Sequence, residues 1–200
     1  MKDIQNTEET VKSDIKTNKD FQSIKEDNVP WFAIRLFTPR QEAVATYFES
    51  HDLEIFIPQS FVDFRDKNGQ LRHELRPVVQ NLIFVKKTID VCEMRKLVGN
   101  SMFKLAVYRK QESPTEYYLI PAKQMYEFRL MCNPELMIRK FLSEEEVKLK
   151  EGIRVRVNHG PLKGLTGRLV RQSHKYYLLK EVPGIGVMIK VSRWCCQPLD

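Results

Sequence analysis

Between Glu151 and Asp200 the residue pattern leaves room for little besides β structure. Ile153, Val155 and Val157 alternate with Arg154 and Arg156, and Leu165, Leu169, Tyr177, Leu179, Val187, Ile189 and Val191 continue through three later runs. A period of two puts alternate side chains on one face of a strand, so these runs predict four or five short strands, each with an apolar side. So short a segment has few ways to bury a core, and open edges would be hazardous; a small closed barrel is the expectation. Within it, VRVNHGPLKGLTGRLVR (residues 155–171) sets two such runs around a loop carrying Gly160, Pro161, Gly164 and Gly167. Glycine admits backbone angles that a side chain forbids and Pro161 fixes one φ, so the loop reads as a built turn. Gly184-Ile185-Gly186 is expected to turn the chain between two later strands.

The rest of the chain has a different texture. Residues 1–29 are polar and mixed in charge, with too little apolar surface to offset the ordering of a chain, and are expected to form a flexible tail. At Pro30 the pattern changes abruptly to WFAIRLF (Trp31 to Phe37), which predicts a largely buried strand. Pro39 opens a helical pattern with Ala43, Val44, Tyr47 and Phe48 on one stripe and Gln41, Glu42 and Glu49 on the surface, ending near His51. LEIFIP (53–58) returns to strand, and FVDFRDKNGQLRHEL predicts two strands joined at Asn68-Gly69, with both central residues at positive φ. One strand is expected over Pro77 to Lys86. A helix over Asp90 to Gly99 follows, with Asp90 at its start, Val91, Met94, Leu97 and Val98 inward, and glycine at its stop. FKLAVYRK and YYLI are strands, and Pro121 begins a helix facing Met125, Phe128 and Cys132 inward.

From Trp31 the order is β-α-β-β-β-α-β-α, an antiparallel sheet with helices packed on it, an α+β arrangement. Residues 133–150 hold the expected boundary, with LMIRKFL as a final helical turn or strand of the first domain. The division is thus a 1–29 tail, a 30–145 domain and a 146–200 domain.

The net charge of +7 is unevenly placed: residues 146–200 carry 11 basic and 4 acidic side chains, against 17 and 15 over 31–145 and 5 and 7 over 1–30. A basic terminal unit favours an anionic partner, nucleic acid or an acidic protein surface. Cys92, Cys132, Cys195 and Cys196 show no CxxC spacing and no histidine near them in a ligand pattern, so reduced thiols without a metal are expected. The N-terminus lacks a signal-peptide apolar core and no run is long enough to span a membrane, which predicts a cytoplasmic protein. Neither a catalytic triad, a carboxylate pair nor a phosphate loop is present, GIG being too short and preceding a strand; no enzymatic role and no cofactor are expected.

The loop between Val155 and Arg171 resembles the KOW motif, closely in its NusG-type form. Trp31-Phe32, Pro39-Arg40-Gln41-Glu42, IFIP (55–58), the basic hairpin, RPVVQNLIFV (76–85) and IPAKQM (120–125) together resemble the NusG N-terminal domain, so the likeness covers about residues 30–200. It is similar above all to the UpxY-type specialised paralogues, relatives of RfaH. The resemblance implies an antiparallel-sheet α/β sandwich followed by an SH3-like β-barrel (KOW domain). It further implies a monomeric elongation and antitermination factor that binds RNA polymerase and keeps it processive on a long operon, typically one for capsular polysaccharide. A KOW-type RNA-binding or ribosome-associated protein is the alternative.

By the same resemblance, Leu82 and Phe84, which share one side of their strand, would face the polymerase together with Phe32 and Arg35. Arg40, Arg65, Lys67, Arg72, His73 and Arg76 would meet nucleic acid, the non-template DNA strand above all. Ile185 would contact a small-subunit ribosomal protein or Rho.

Overall fold

The computed structural model describes residues 24, 26–136 and 139–199. The expected tail lies outside the described residues apart from its last few, where Asp27 pairs with Lys86 at 2.6 Å.

The first sheet is built around β1 (Trp31–Leu36). It runs antiparallel to β5 (Leu82–Lys86) on one side and to β6 (Leu105–Val107) and β7 (Leu119–Ile120) on the other, with β2 (Ile55–Phe56) flanking β5. Three helices pack on it: α1 (Gln41–Glu49), α2 (Val91–Asn100) and α3 (Ala122–Met131). The register sets Ala33 opposite Phe84 and Ile34 opposite Ile83, so the apolar strands divide cleanly into two faces. Phe32, Ile34, Ile83 and Val85 form a core with Val44 and Phe48 of α1 and Met94 of α2. Trp31, Ala33, Leu82 and Phe84 point the other way, into a core shared with α3 and the C-terminal strands.

Local chemistry explains where the elements begin and end, and where simple periodicity misleads. Asp90 and Glu93 cap α2 reciprocally, each carboxylate accepting the other's backbone N–H. Gly99, expected at the stop, sits inside the last turn of α2. In α1 the buried set is Gln41, Val44, Ala45 and Phe48, and Ala43 is exposed. Gln41, expected on the surface, turns inward because its Nε2 donates to the carbonyls of Val79 and Leu82 at 2.9 and 2.8 Å. The Val79 carbonyl lies in a break in the expected Pro77–Lys86 strand, where a turn over 78–81 separates β5 from the hairpin before it, and the Leu82 carbonyl opens β5. The amide satisfies two carbonyls that would cost much if orphaned, while its own Oε1 is buried without a hydrogen-bond partner among the described residues.

That hairpin, β3 (Gln59–Arg65) and β4 (Leu71–Pro77), forms a two-stranded sheet of its own. Its loop is not the expected two-residue turn. Asp66 Oδ1 accepts the N–H groups of Asn68 and Gln70 at 2.9 and 3.0 Å, organising a five-residue loop in which Gly69 alone takes positive φ, 76°.

The second sheet contains β8 (Arg139–Ser143), β9 (Ile153–Val157), β10 (Thr166–Gln172), β11 (Lys175–Val182), β12 (Ile185–Val191) and β13 (Cys196–Pro198), in the order β13-β9-β10-β11-β12-β8. Among the described residues it runs as an open path, with no pairing between β8 and β13. The segment expected to link the domains contributes to it instead. β8 pairs with β12 rather than joining the first sheet, and α4 (Glu144–Lys148) folds Val147 inward, so a boundary at 145/146 falls within a helix. Gly160 and Gly164 take φ of 85° and 93°, which a side chain would strain. Gly167 lies inside β10 for a different reason: a Cβ there would stand 2.5 Å from the Leu179 carbonyl oxygen. Val182 pairs with Ile185, so the tight turn is Pro183-Gly184, and Ile185 and Gly186 belong to β12. Ile153, expected in the core, is 52% exposed.

Candidate functional site

The side of the first sheet turned away from α1 and α2 carries most of the residues expected to dock a partner. Antiparallel pairing sets Arg35 opposite Leu82 and Ala33 opposite Phe84, which brings Arg35, Leu82 and Phe84 to one face. Phe32 is not among them. It faces the other core, fully buried, with the Tyr117 ring edge-on at 6.2 Å.

The three that share the face have different surroundings. Phe84 lies between Phe56 and Phe128 of α3, with ring centroids at 6.3 and 5.7 Å, and is a core residue beneath that helix. Leu82 instead meets the turn between β11 and β12: a Cβ on Gly184 would stand 3.1 Å from a Leu82 methyl carbon and 2.7 Å from the Tyr108 hydroxyl. Leu82 is therefore 2% exposed, and Ile185, expected as a surface contact, is 1% exposed beside it. Arg35 borders the seam. Its guanidinium donates to the Tyr108 hydroxyl at 2.8 and 3.2 Å and approaches Glu144 at 3.9 Å, and these partners, Tyr108 foremost, strengthen its basicity.

Between α3 and the second sheet lies a buried polar knot. Glu127, 2% exposed, pairs with Lys180 and accepts the Thr166 hydroxyl at 2.8 Å. Lys180 also donates to the Thr166 carbonyl at 2.9 Å, and Gln124 donates to the Glu181 carbonyl at 2.7 Å. Buried charges are tolerated when paired and hydrogen-bonded, and each of these depends on the other side of the seam. Sequence reasoning passed over Glu127 and Lys180 because charged residues default to the surface. A signal was nonetheless present in the unbroken run Tyr176 to Leu179, which marks a strand covered on both faces.

A family model described as transcription termination factor NusG matches residues 29–129. The chain belongs to the NusG family. Among curated proteins no match to the chain is found. NusG-family membership makes it a transcription elongation and antitermination factor whose partner is RNA polymerase, in a family of regulators rather than enzymes. The match spans β1 to most of α3, hence both faces of the first sheet; the second sheet lies beyond it.

In this NusG-family chain the basic hairpin is largely neutralised from within. Arg72 pairs with Asp66 at 3.0 Å, and Arg76 pairs with Glu74 at 2.9 Å while lying 4.1 Å over the Phe64 ring. His73 stacks on Phe61 and bonds Asp63. The carboxyl of Asp66 is held below the usual aspartate range, chiefly by Arg72 and then by the N–H of Gln70. Among the described residues Arg65 and Lys67 carry no ion pair, so uncompensated charge concentrates at the hairpin tip. Arg40 sits apart from the hairpin, at the N-cap of α1. Among the described residues no helix is long and apolar enough to cross a membrane.

Proposed function

We propose that this chain is a specialised NusG-family factor that grips RNA polymerase through the Leu82 face and keeps it processive on one long operon. The likeness of its motifs to UpxY-type paralogues points to an operon for capsular or other surface polysaccharide. The C-terminal sheet acts as the KOW domain, an SH3-like module; the left-handed Gly160 and Gly164 and the close approach at Gly167 support that reading. Its partner is a small-subunit ribosomal protein or Rho, and the non-template strand meets Arg65 and Lys67 at the hairpin tip.

The observation that carries the proposal is the position of Leu82. It is an apolar side chain on the matched domain that the Gly184 turn of a separate sheet approaches closely. In this closed arrangement Leu82 and Ile185 are both buried, so both docking surfaces become available together when the second sheet swings away. Polymerase binding then has to exceed the free energy that holds the seam shut, and only this difference in affinity moves the population. Phe84 supports the face from beneath α3, and Arg35 flanks it.

The test is a binding titration with the cognate polymerase. Leu82→Asp is expected to weaken binding at least tenfold while the N-terminal domain stays folded, and unchanged affinity would reject the assigned face. Mapping where the protein travels with polymerase along the genome tests the specialised role: occupancy spread over most transcribed genes would contradict it.

A further inference from the structure

Two cysteines stand side by side where the chain enters the last strand of the second sheet, a feature that polymerase docking does not use. Cys195 ends the short 3-10 turn Arg193–Cys195 and Cys196 begins β13. Both thiols are free and partly exposed, and Cys196 lines an open groove together with Trp194, which is 76% exposed. Cys132 by contrast is buried, and burial pushes its thiol up, while Cys92 is exposed on α2. Among the described residues no three His, Cys, Asp or Glu side chains gather to hold a metal, so the pair offers two thiols and no third ligand. The backbone around it is lightly held. The Cys195 carbonyl accepts the Asn158 N–H at 2.8 Å, Cys196 pairs with Val157, and β13 is three residues long at the edge of the sheet.

We propose that Cys195 and Cys196 are a reversible modification site for hydroperoxides, closing to a disulfide between neighbouring residues that frees the Cys195 carbonyl from Asn158. One sulfur attacks the peroxide, the O–O bond breaks, and the departing oxygen takes the thiol proton, leaving as water when the oxidant is hydrogen peroxide. The second sulfur then attacks the sulfenic acid so formed, the S–O bond breaks, and the hydroxyl leaves as water with the second thiol proton. Two thiols give two electrons to one peroxide, and nothing else is consumed. Cys195 is the sulfur that meets the peroxide, because burial, and then Cys195 itself, push the Cys196 thiol up, and Arg193 offsets this only in part. Cys92 has no cysteine beside it in the chain and stops at the sulfenic stage. The ring is strained: neighbouring Cα atoms lie about 3.8 Å apart across a trans peptide, whereas disulfides ordinarily span about 4.4–6.8 Å. Closure therefore turns the peptide between the two residues, and the Cys195 carbonyl, which belongs to that peptide, swings out of its bond to Asn158. The same strain makes the bond easy to reduce, so that a cellular thiol pool reopens it.

The experiment treats the full chain, carrying Cys92→Ser to silence the exposed thiol, with a slight excess of hydrogen peroxide and follows intact mass, peptide maps and tryptophan emission. A loss of about two mass units is expected, mapped to the peptide that holds Cys195 and Cys196, as two thiol hydrogens leave. Emission is expected to fall as the disulfide forms beside the indole of Trp194, since the other tryptophan, Trp31, is buried at 2%. Millimolar glutathione is expected to restore both mass and emission. Cys196→Ser is expected to halt at a sulfenic acid that a dimedone probe captures on Cys195, and Cys195→Ser to react roughly tenfold more slowly. In hydrogen exchange the oxidised chain is expected to lose protection at the Asn158 amide by roughly tenfold or more. The Val157 amide, bonded to the Leu165 carbonyl at 2.9 Å, is expected to stay protected. Oxidation that ends at sulfinic acid without a disulfide, pairing between chains, equal rates in Cys195→Ser and its parent, or an unchanged Asn158 amide would each overturn the assignment. Because polymerase takes no part, failure here leaves the Leu82 reading standing, and the reverse also holds.

Discussion

The two faces of the first sheet are built from the same strands yet closed in different ways. Under α1 and α2, Phe32, Ile34, Ile83 and Val85 pack with apolar and aromatic residues of their own domain. On the other face Trp31, Leu82 and Phe84 are covered partly by α3 and partly by the second sheet, two elements joined by the polar contacts of Glu127, Lys180 and Thr166. An apolar core held by short connections has no lower-energy alternative to staying closed. A seam that mixes apolar contact with paired charges can open, because water replaces its polar partners at modest net cost. The lesson is that burial alone does not separate a core from a docking surface; what matters is whether the covering element belongs to the same folding unit.

Damage to the two faces is expected to cost the molecule different things. Phe48→Ala, in the first core, is expected to cost about 3–5 kcal/mol and to lower the unfolding midpoint of the whole N-terminal domain in urea. If the loss stays under about 1 kcal/mol, that face is no firmer than the other. Lys180→Ala strands the Glu127 carboxylate in a dry seam and is expected to cost about 3 kcal/mol, confined to the association of the two units. Hydrogen exchange should then rise along β11, β12 and α3 while β1 and β5 stay protected. Exchange rising equally everywhere would show one cooperative body instead of two faces.

Smaller changes sharpen the contrast. Gly184→Ala places a Cβ against Tyr108 and Leu82 at a residue with φ of 87°, and is expected to weaken the seam by about 1–2 kcal/mol. If the seam competes with polymerase, affinity for polymerase should increase by up to about thirtyfold; a decrease would mean that the turn contributes to the complex. The smallest effect concerns Asp27, which joins Lys86 at the margin of the sheet. Burial pushes its carboxyl up, but Lys86, the Val29 N–H and Arg129 together hold it below its ordinary value of 3.8. A depressed carboxylate contributes stability in full above its unfolded value and loses it as pH falls through the lower folded value. The difference between wild type and Asp27→Asn, expected to be under about 1 kcal/mol at pH 7 for so accessible a pair, should therefore begin to shrink as pH falls towards 3.8 and vanish only below the lower folded value, as read from paired thermal melts.

Strand and helix identities were legible wherever a local rule sufficed. The opposite orientations of Leu82–Phe84 and Ile83–Val85 follow from a period of two, and the start of α2 from Asp90 and Glu93. Rules failed where a distant partner intervened. Gln41 turns inward for carbonyls about forty residues away, Phe84 is claimed by Phe128, and Arg139–Ser143 finds its partner in β12 rather than in the sheet it follows. The Asn68-Gly69 turn failed for a nearer reason: Asp66 supplied a loop that needed only one left-handed residue.

By itself the sequence determined the all-β character of residues 153–191, the division into an α+β region and a basic β region, and the motifs through which the family is recognised, since each rests on spacing along the chain. It took folding to bury Leu82 and Ile185 in one core, to bring Glu127 and Lys180 together inside a seam, and to leave Trp194 exposed. Those facts depend on which surfaces come together after the strands have formed, and that is set by the summed burial and charge pairing of residues far apart in sequence.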